Sequence, residues 1–262
     1  MTENENLKLD NIKKRLIVMS GKGGVGKSTV AVNLAVELAE RGFKVGLLDV
    51  DVHGPSVPKL LGLENQKVGT SPSGMVKPVF YSENLKVISV GFLIDREDSA
   101  VIWRGPMKYN AIKQFLTDVD WENLDYLVID SPPGTGDEPL AVCQLLSGNS
   151  EAVIVTTPQD LALSDVLKSI TFCEKVGIPV KGIIENMSGL ECPHCGKNID
   201  LFKSGGGRKI SEDRGKTYLG EIPIEMDMVH RGDDGRPFMK KSSKDKSKAA
   251  KAFSAIVDVI IS

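Results

Sequence analysis

The chain has 262 residues, of which 41% are hydrophobic and 26% are charged, and its formal net charge is −2. This length and composition are typical of a globular α/β protein that needs no disulfide staples, and the charge gives no overall reason to expect a nucleic-acid partner. No stretch reaches the roughly 20 apolar residues of a membrane span, and the polar start resembles neither a secretion signal nor a transit peptide. We therefore expect a cytoplasmic protein without a membrane partner, in which residues 1–13 form a flexible tail and residues 14–262 form one domain.

The most informative stretch lies between an apolar run at residues 15–20 and a helical pattern at residues 29–41. The run is typical of a strand buried on both faces of a parallel sheet. The stretch itself reads Gly21-Lys22-Gly23-Gly24-Val25-Gly26-Lys27-Ser28-Thr29. Strand, glycine loop and helix in this order predict a P-loop, whose backbone N–H groups hold nucleotide phosphates. Lys27 is then expected to reach the outer phosphates, and the Ser28 hydroxyl to bind Mg²⁺.

Two carboxylates, Asp49 and Asp51, follow at the end of the next predicted strand, residues 44–50. Open α/β sheets bind their ligands at this end of the strands. A carboxylate here can hold Mg²⁺ through water or orient a water that attacks a phosphate, and we predict Asp49 as a magnesium ligand. The alternative is that both aspartates cap the following turn. His53 is predicted either as a ligand or as a solvated or loop-bracing residue.

The middle of the chain continues with an irregular or hairpin segment (62–84), a strand (85–92), and a helix that follows Trp-Arg-Gly-Pro-Met and ends near residue 117. A strand at residues 125–130 ends at Asp130, which we predict to hold a magnesium water together with Ser28. The loop after it, residues 131–138, contains two prolines and two glycines. Its N–H groups are suited to sensing a γ-phosphate, as switch loops do.

Two further strands, residues 152–156 and 180–185, bracket a helix at residues 161–176. This alternation predicts an α/β fold with a mostly parallel, doubly wound sheet. The remaining predictions are a flexible junction (202–208), a helix near 209–213, a strand (218–222), a loop (231–237) and a helix (249–261). The basic run at residues 240–248 is either a patch for DNA or an acidic partner, or the solvated start of the last helix.

Four cysteines in a cytosolic chain suggest metal or thiol chemistry before disulfides. Cys192-Pro193-His194-Cys195-Gly196, within an inserted loop near residues 188–203, is a metal knuckle that supplies two thiolates, which is half of a tetrahedral site. Cys143 and Cys173 lie in apolar helical patterns, so we predict that they fill the core. A symmetry-related copy of the chain can supply the missing half, and the resulting four-cysteine site accepts Zn²⁺ or a cubane iron–sulfur cluster.

The loop K-G-G-V-G-K-S resembles that of the deviant P-loop ATPases, which include MinD, ParA and the nitrogenase iron protein. Together with D-V-D-V-H-G-P-S, D-S-P-P-G-T-G-D-E, E-N-M-S and C-x-x-C in this order, it resembles the Mrp/ApbC group of iron–sulfur carrier ATPases, over residues 15 to about 240. The resemblance implies a homodimer in which Lys22 reaches the partner's nucleotide. It also implies that Asp51 orients the attacking water and that Asn186 contacts adenine, although a turn asparagine is the alternative.

The same resemblance implies that a [4Fe–4S] cluster bridges two chains at Cys192 and Cys195 and is passed to apo-proteins. ATP and Mg²⁺ are the other expected cofactors, with Lys22, Lys27 and Asp51 as the catalytic residues. Two other functions stay open on the sequence: a positioning ATPase like ParA or MinD, and a zinc-bridged nucleotide-binding dimer.

Overall fold

The structure is a computed structural model that describes residues 9–93, 105–146, 148–192, 194–199, 201–240 and 247–262. Four predicted features therefore lie wholly or partly outside the described residues. They are residues 1–8 of the tail, Trp103 and Arg104 of the W-R-G-P-M stretch, Pro193 and Asp200 of the inserted cysteine loop, and residues 241–246 of the basic run.

The described residues form strands and helices that alternate along most of the chain. The strands are β1 (Ile12–Met19), β2 (Val45–Asp49), β3 (Gly69–Thr70), β4 (Val76–Lys77), β5 (Val79–Ser82), β6 (Leu85–Ser89), β7 (Leu124–Asp130), β8 (Ser150–Thr156), β9 (Val180–Glu191), β10 (Asn198–Ile199) and β11 (Tyr218–Ile224). The helices are α1 (Lys27–Glu40), α2 (Val57–Leu61), α3 (Gly105–Thr117), α4 (Asp137–Leu145), α5 (Asp160–Val176), α6 (Gly206–Asp213), α7 (Met226–Asp233) and α8 (Lys248–Ile261).

Nine of these strands form one sheet in the order β10-β9-β8-β1-β7-β2-β6-β5, and β11 also pairs with β9. All pairs are parallel except β5 with β6 and β10 with β9, so the antiparallel strands lie at the ends of this order. β3 and β4 form a separate small hairpin. This mostly parallel sheet confirms the predicted fold class.

Helices cover both faces of the sheet, which explains why its central strands are continuous apolar runs. Leu16 and Val18 of β1 pack on the same side as buried residues of α1 and α8. Ile17 and Met19 pack on the opposite side, with buried residues of α3 and α4. Among the described residues, none of the helices is both long and apolar enough to cross a membrane.

The strand order brings three loops together at one edge of the sheet. β7 lies between β1 and β2, and its last residue, Asp130, is in register with Val18 of β1 and with Asp49 of β2. The loops that follow these three strands are the P-loop and the two acidic segments. The order of the strands is therefore enough to bring the predicted site residues together.

Two strands extend beyond their predicted bounds, and two helices were not predicted. β1 begins at Ile12, inside the predicted tail, because Leu9 and Ile12 are buried in the core. β9 runs to Glu191 because β11 and β10 pair with its outer part, so Asn186 lies within a strand and does not end it. α2 was not predicted, and α7 occupies the start of the predicted loop at residues 231–237.

Candidate functional site

The P-loop is shaped by two glycines whose backbone lies in the left-handed region. Gly24 and Gly26 both have φ near 80°, a conformation that side-chain-bearing residues rarely adopt. A Cβ atom on Gly26 would also lie 2.3 Å from the Asn186 amide nitrogen, so this position requires glycine. α1 begins directly after Gly26, which places its N-terminal N–H groups around the loop as an anion site.

Lys27 lies in a cluster of carboxylates at the edge of the sheet. Its Nζ atom is 2.5 Å from Oδ1 of Asp130 and 3.7 Å from Oδ2 of Asp51, and it donates to the Ser28 hydroxyl at 3.2 Å. Lys27, Asp51 and Asp130 are all buried. The structure therefore brings together the residues that were predicted to act on phosphates and magnesium.

Asp49 is fully buried beside this cluster and is held by hydrogen bonds on both of its carboxylate oxygens. Oδ2 accepts from the Ser89 hydroxyl at 2.8 Å and from the Val57 N–H at 3.4 Å, whereas Oδ1 accepts from the Asp51 N–H at 3.1 Å. Burial, together with the charge of Asp130, raises the pKa of Asp49 to about 8. With both oxygens engaged, Asp49 is better placed to act on a magnesium ion through water than by direct contact.

Asp130 carries the feature that best fits a metal ion. Its Oδ2 atom is buried and accepts no hydrogen bond from any described residue. Burial raises the pKa of Asp130, although Lys27 opposes this shift. An unsatisfied buried carboxylate oxygen next to a serine hydroxyl matches the oxygen ligands that Mg²⁺ prefers. The residues present therefore fit a magnesium ion.

The two acidic loops are fastened to each other and to β1. We call residues 49–56 the first switch loop and residues 131–138 the second. His53 Nε2 lies 2.9 Å from Glu138 Oε1 and so links the two loops, which favours the bracing role of His53. The Gly134 N–H donates to the Ser20 carbonyl at 2.7 Å. The role of Glu138 has no local sequence signal, because its partner is 85 residues away along the chain.

The other predicted nucleotide-binding residues lie around the same loop. Lys22 is partly buried, and its Nζ atom is 3.4 Å from the Gln159 side chain just before α5. Val25 is buried, and its carbonyl oxygen accepts a hydrogen bond of 2.9 Å from the Asn186 amide. Asn186 therefore contacts the loop directly.

Cys192 and Cys195 lie at the end of a short hairpin that β9 and β10 form. The Cys192 N–H donates to the Lys197 carbonyl, and the Gly196 N–H donates to the Cys192 carbonyl, both at 2.9 Å. The pKa of Cys192 is lowered by hydrogen bonds from the backbone N–H groups of His194 and Cys195. Cys195 is exposed and Cys192 partly so. This turn favours the thiolate, which is the form that binds metals.

The other two cysteines lie in the core, as predicted. Cys143 and Cys173 are buried, and burial raises their pKa values to about 12 and about 11. Within the described part of the chain, no third His, Cys, Asp or Glu side chain joins Cys192 and Cys195 in a metal-binding group. Cys192 and Cys195 thus form an exposed two-ligand pair.

Comparison with known proteins gives consistent matches along almost the whole chain. The ParA family model, described as NUBPL iron-transfer P-loop NTPase, matches residues 11–261. A Methanocaldococcus jannaschii protein named iron-sulfur cluster carrier protein is 45% identical over 252 residues, which are 96% of this chain and 87% of the relative. A Culex quinquefasciatus protein named cytosolic Fe-S cluster assembly factor NUBP2 homolog is 56% identical over 221 residues, 83% of this chain and 86% of the relative.

A solved structure gives the same result at the level of the fold. The nucleotide-binding protein from Archaeoglobus fulgidus in complex with ADP superimposes with a TM-score of 0.81 at 41% identity. The superposition covers 96% of each chain.

Proposed function

Because the chain belongs to the ParA family of NUBPL iron-transfer P-loop NTPases, we propose that it is a cytoplasmic, ATP-dependent carrier of iron–sulfur clusters. Two copies of the chain hold one [4Fe–4S] cluster between them and pass it to apo-proteins. One observation carries this proposal: a pair of free, solvent-accessible cysteines follows the strand whose Asn186 contacts the P-loop. The names of the archaeal and insect relatives support the same activity and, for the insect protein, the same compartment.

ATP binds with its phosphates in the loop of residues 21–29. Lys27 exchanges its contact with Asp130 for the outer phosphates, since an ammonium group binds either anion. Ser28, Asp130 and Asp49 would hold Mg²⁺. The ion would neutralise the charge of the phosphates and of the buried carboxylates. The Asn186 amide oxygen is left to accept from the exocyclic amine of adenine.

Hydrolysis of ATP rests on Asp51 and Lys22. Asp51 is buried, and its Oδ2 atom lies 3.7 Å from the Lys27 ammonium. This position beside the lysine that binds the outer phosphates supports a role for Asp51 in orienting the attacking water. Lys22 makes only a 3.4 Å contact with Gln159, which is at the upper limit for a hydrogen bond. That weak contact leaves Lys22 free to reach the nucleotide of the partner chain in a homodimer.

The cluster is the cargo of this carrier, and Cys192 and Cys195 of each chain hold it. Two ligands from each of two chains complete the four that a [4Fe–4S] cluster requires. A site shared between two chains opens when they separate, which suits transfer better than permanent storage.

Anaerobic reconstitution with iron and sulfide tests the carrier proposal. We expect iron–sulfur absorbance with one cluster for every two chains, lost in the Cys192→Ala/Cys195→Ala double variant. Cys143→Ala is the matched control, because that cysteine is buried in the core and should not affect the cluster. A cluster retained by the double variant refutes the assigned site. Tightly bound zinc without any cluster would instead favour the zinc-bridged dimer.

A comparison of two lysine variants tests the nucleotide chemistry. Lys27→Ala should weaken ATP binding by about tenfold or more, because a charge-assisted contact of about 1.5–3 kcal/mol is lost. Lys22→Ala should leave ATP binding nearly unchanged but lower the rate of hydrolysis. Equal loss of binding in both variants would contradict a cross-dimer role for Lys22. ATP-dependent sedimentation with DNA or liposomes would favour a positioning ATPase.

A further inference from the structure

Glu185 is a buried carboxylate on β9 that the chemistry above does not use. It is fully buried, and three donors satisfy it. The Ser188 hydroxyl donates to Oε1 at 2.8 Å, the Gly205 N–H donates to Oε1 at 2.9 Å, and the Gly207 N–H donates to Oε2 at 2.5 Å. Burying a carboxylate is costly unless it is hydrogen-bonded in this way, so the arrangement holds its partners firmly.

The donors to Glu185 lie on either side of the segment that carries the cysteines. We call residues 189–204 the cysteine arm. Ser188 precedes the arm directly, and Gly205 follows it directly. A Cβ atom on Gly207 would lie 3.0 Å from Glu185 Oε2, so this close approach favours glycine. One side chain therefore fastens both ends of the cysteine arm to β9, whereas the sequence suggested a flexible junction at residues 202–208.

The residues between Glu185 and Ser188 contact the P-loop. The Asn186 amide donates to the Val25 carbonyl at 2.9 Å. Met187 has φ of 59°, in the left-handed region that few side-chain-bearing residues adopt. Its Cε atom lies 3.6 Å from where a Cβ on Gly26 would be. Asn186 and Met187, which separate Glu185 from Ser188, therefore lie beside the P-loop.

We propose that Glu185 is a positioning residue that couples nucleotide binding in the P-loop to the cysteine pair. A nucleotide that moves Val25 also moves Asn186, because the Asn186 amide is hydrogen-bonded to the Val25 carbonyl, and Met187 follows Asn186 along the chain. Glu185 is hydrogen-bonded to Ser188, just before the cysteine arm, and to Gly205, just after it. Both ends of the arm therefore follow this movement. The proposal rests on the proposed function for nucleotide binding in the P-loop and for the identity of the cargo.

The test measures how fast iodoacetamide alkylates Cys192 and Cys195 in the cluster-free chain, with and without saturating Mg·ADP. The two core cysteines are buried and contribute little. In the wild type we expect the alkylation rate with and without nucleotide to differ by about fivefold, the lower end of common couplings between sites. In Glu185→Gln, an amide NH₂ replaces one acceptor oxygen and faces backbone donors, so this ratio should fall to near one.

Glu185→Gln should lose the coupling between nucleotide and cysteine pair but still bind ADP. ADP affinity in Glu185→Gln should stay within about twofold of the wild type, because Glu185 does not touch the P-loop itself. Ser188→Ala removes one of the three donors and should give an intermediate ratio. Glu221→Gln is the matched control, since Glu221 is an exposed carboxylate opposite Glu185 on β11, and its ratio should equal that of the wild type.

Each outcome decides the proposal. It is overturned if the wild-type rate does not respond to ADP, or if Glu185→Gln keeps the wild-type ratio. A merely structural role would change alkylation equally with and without ADP and would leave the ratio intact. If Glu185→Gln does not fold, an unchanged ratio in Ser188→Ala overturns the proposal. A chain that shows the coupling but binds no cluster refutes the carrier function alone.

Discussion

Removal of Lys27 should destabilise the nucleotide-free protein as well as weaken ATP binding. Its ammonium is the basic group that the structure places in contact with Asp130 and Asp51, and Asp49 is fully buried beside them. Lys27→Ala leaves these carboxylates without that charge. Loss of one partner from a buried ion pair costs about 3–5 kcal/mol, because the other charge stays buried.

The stability that Lys27→Ala loses should increase as the pH rises. Burial raises the pKa values of Asp49, to about 8, and of Asp130 above their ordinary value of 3.8. The folded state therefore holds these protons more strongly than the unfolded state, and stability falls as pH rises from about 4 to about 8. Because Lys27 lowers both pKa values, its removal steepens that dependence. The difference in unfolding free energy between the wild type and Lys27→Ala should be largest above pH 8 and smaller at pH 6.

Urea unfolding of both proteins in EDTA measures this prediction. With a slope of about 3 kcal/mol per molar, a loss of about 3 kcal/mol lowers the midpoint by about 1 M. Lys22→Ala is the matched control in the same loop, and it should lose no more than about 1 kcal/mol because it breaks one weak contact. Equal urea midpoints for Lys27→Ala and the wild type at pH 8 would refute the reasoning. A difference in unfolding free energy that grows as the pH falls would also refute it.

Three further predictions concern single contacts. Iodoacetamide should modify Cys192 and Cys195 within minutes and leave the two core cysteines unmodified until the protein unfolds, as peptide mass spectrometry can show; rapid modification of a core cysteine would contradict the packing. Gly26→Ala should reduce ADP binding by about tenfold or more, measured by calorimetry, because its Cβ would meet an amide nitrogen at 2.3 Å in a left-handed backbone. His53→Ala and Glu138→Ala each remove one partner of the link between the switch loops, so their effects on the ATPase rate should not add in the double variant, and fully additive effects would contradict the link.

The parts of the site that depend on local sequence could be predicted. A buried parallel strand is a continuous apolar run, and the P-loop spacing fixes where Lys27 and Ser28 lie. Asp130 could be placed for the same reason, because it ends a strand of this kind. These features need no knowledge of contacts between distant residues.

The features that escaped prediction depend on distant contacts. Glu138 lies in the second switch loop, and only the folded chain shows that it meets His53. The sequence Asn-Met-Ser-Gly after residue 185 looks like a turn, yet pairing with β10 and β11 continues the strand through it. Glu185 is satisfied mainly by glycine N–H groups, which leave no side-chain signal in a sequence.

The sheet order also predicts which nucleotide states the cysteine pair can sense. The switch loops follow β2 and β7, on one side of β1, whereas β8 and β9 lie on its other side. A γ-phosphate acts on the switch loops, but the contact between Asn186 and the P-loop depends only on how the loop itself is held. The cysteine pair should therefore respond to ADP as fully as to ATP within one chain. A response to a non-hydrolysable ATP analogue and none to ADP would show that the signal runs through the switch loops or through dimer formation.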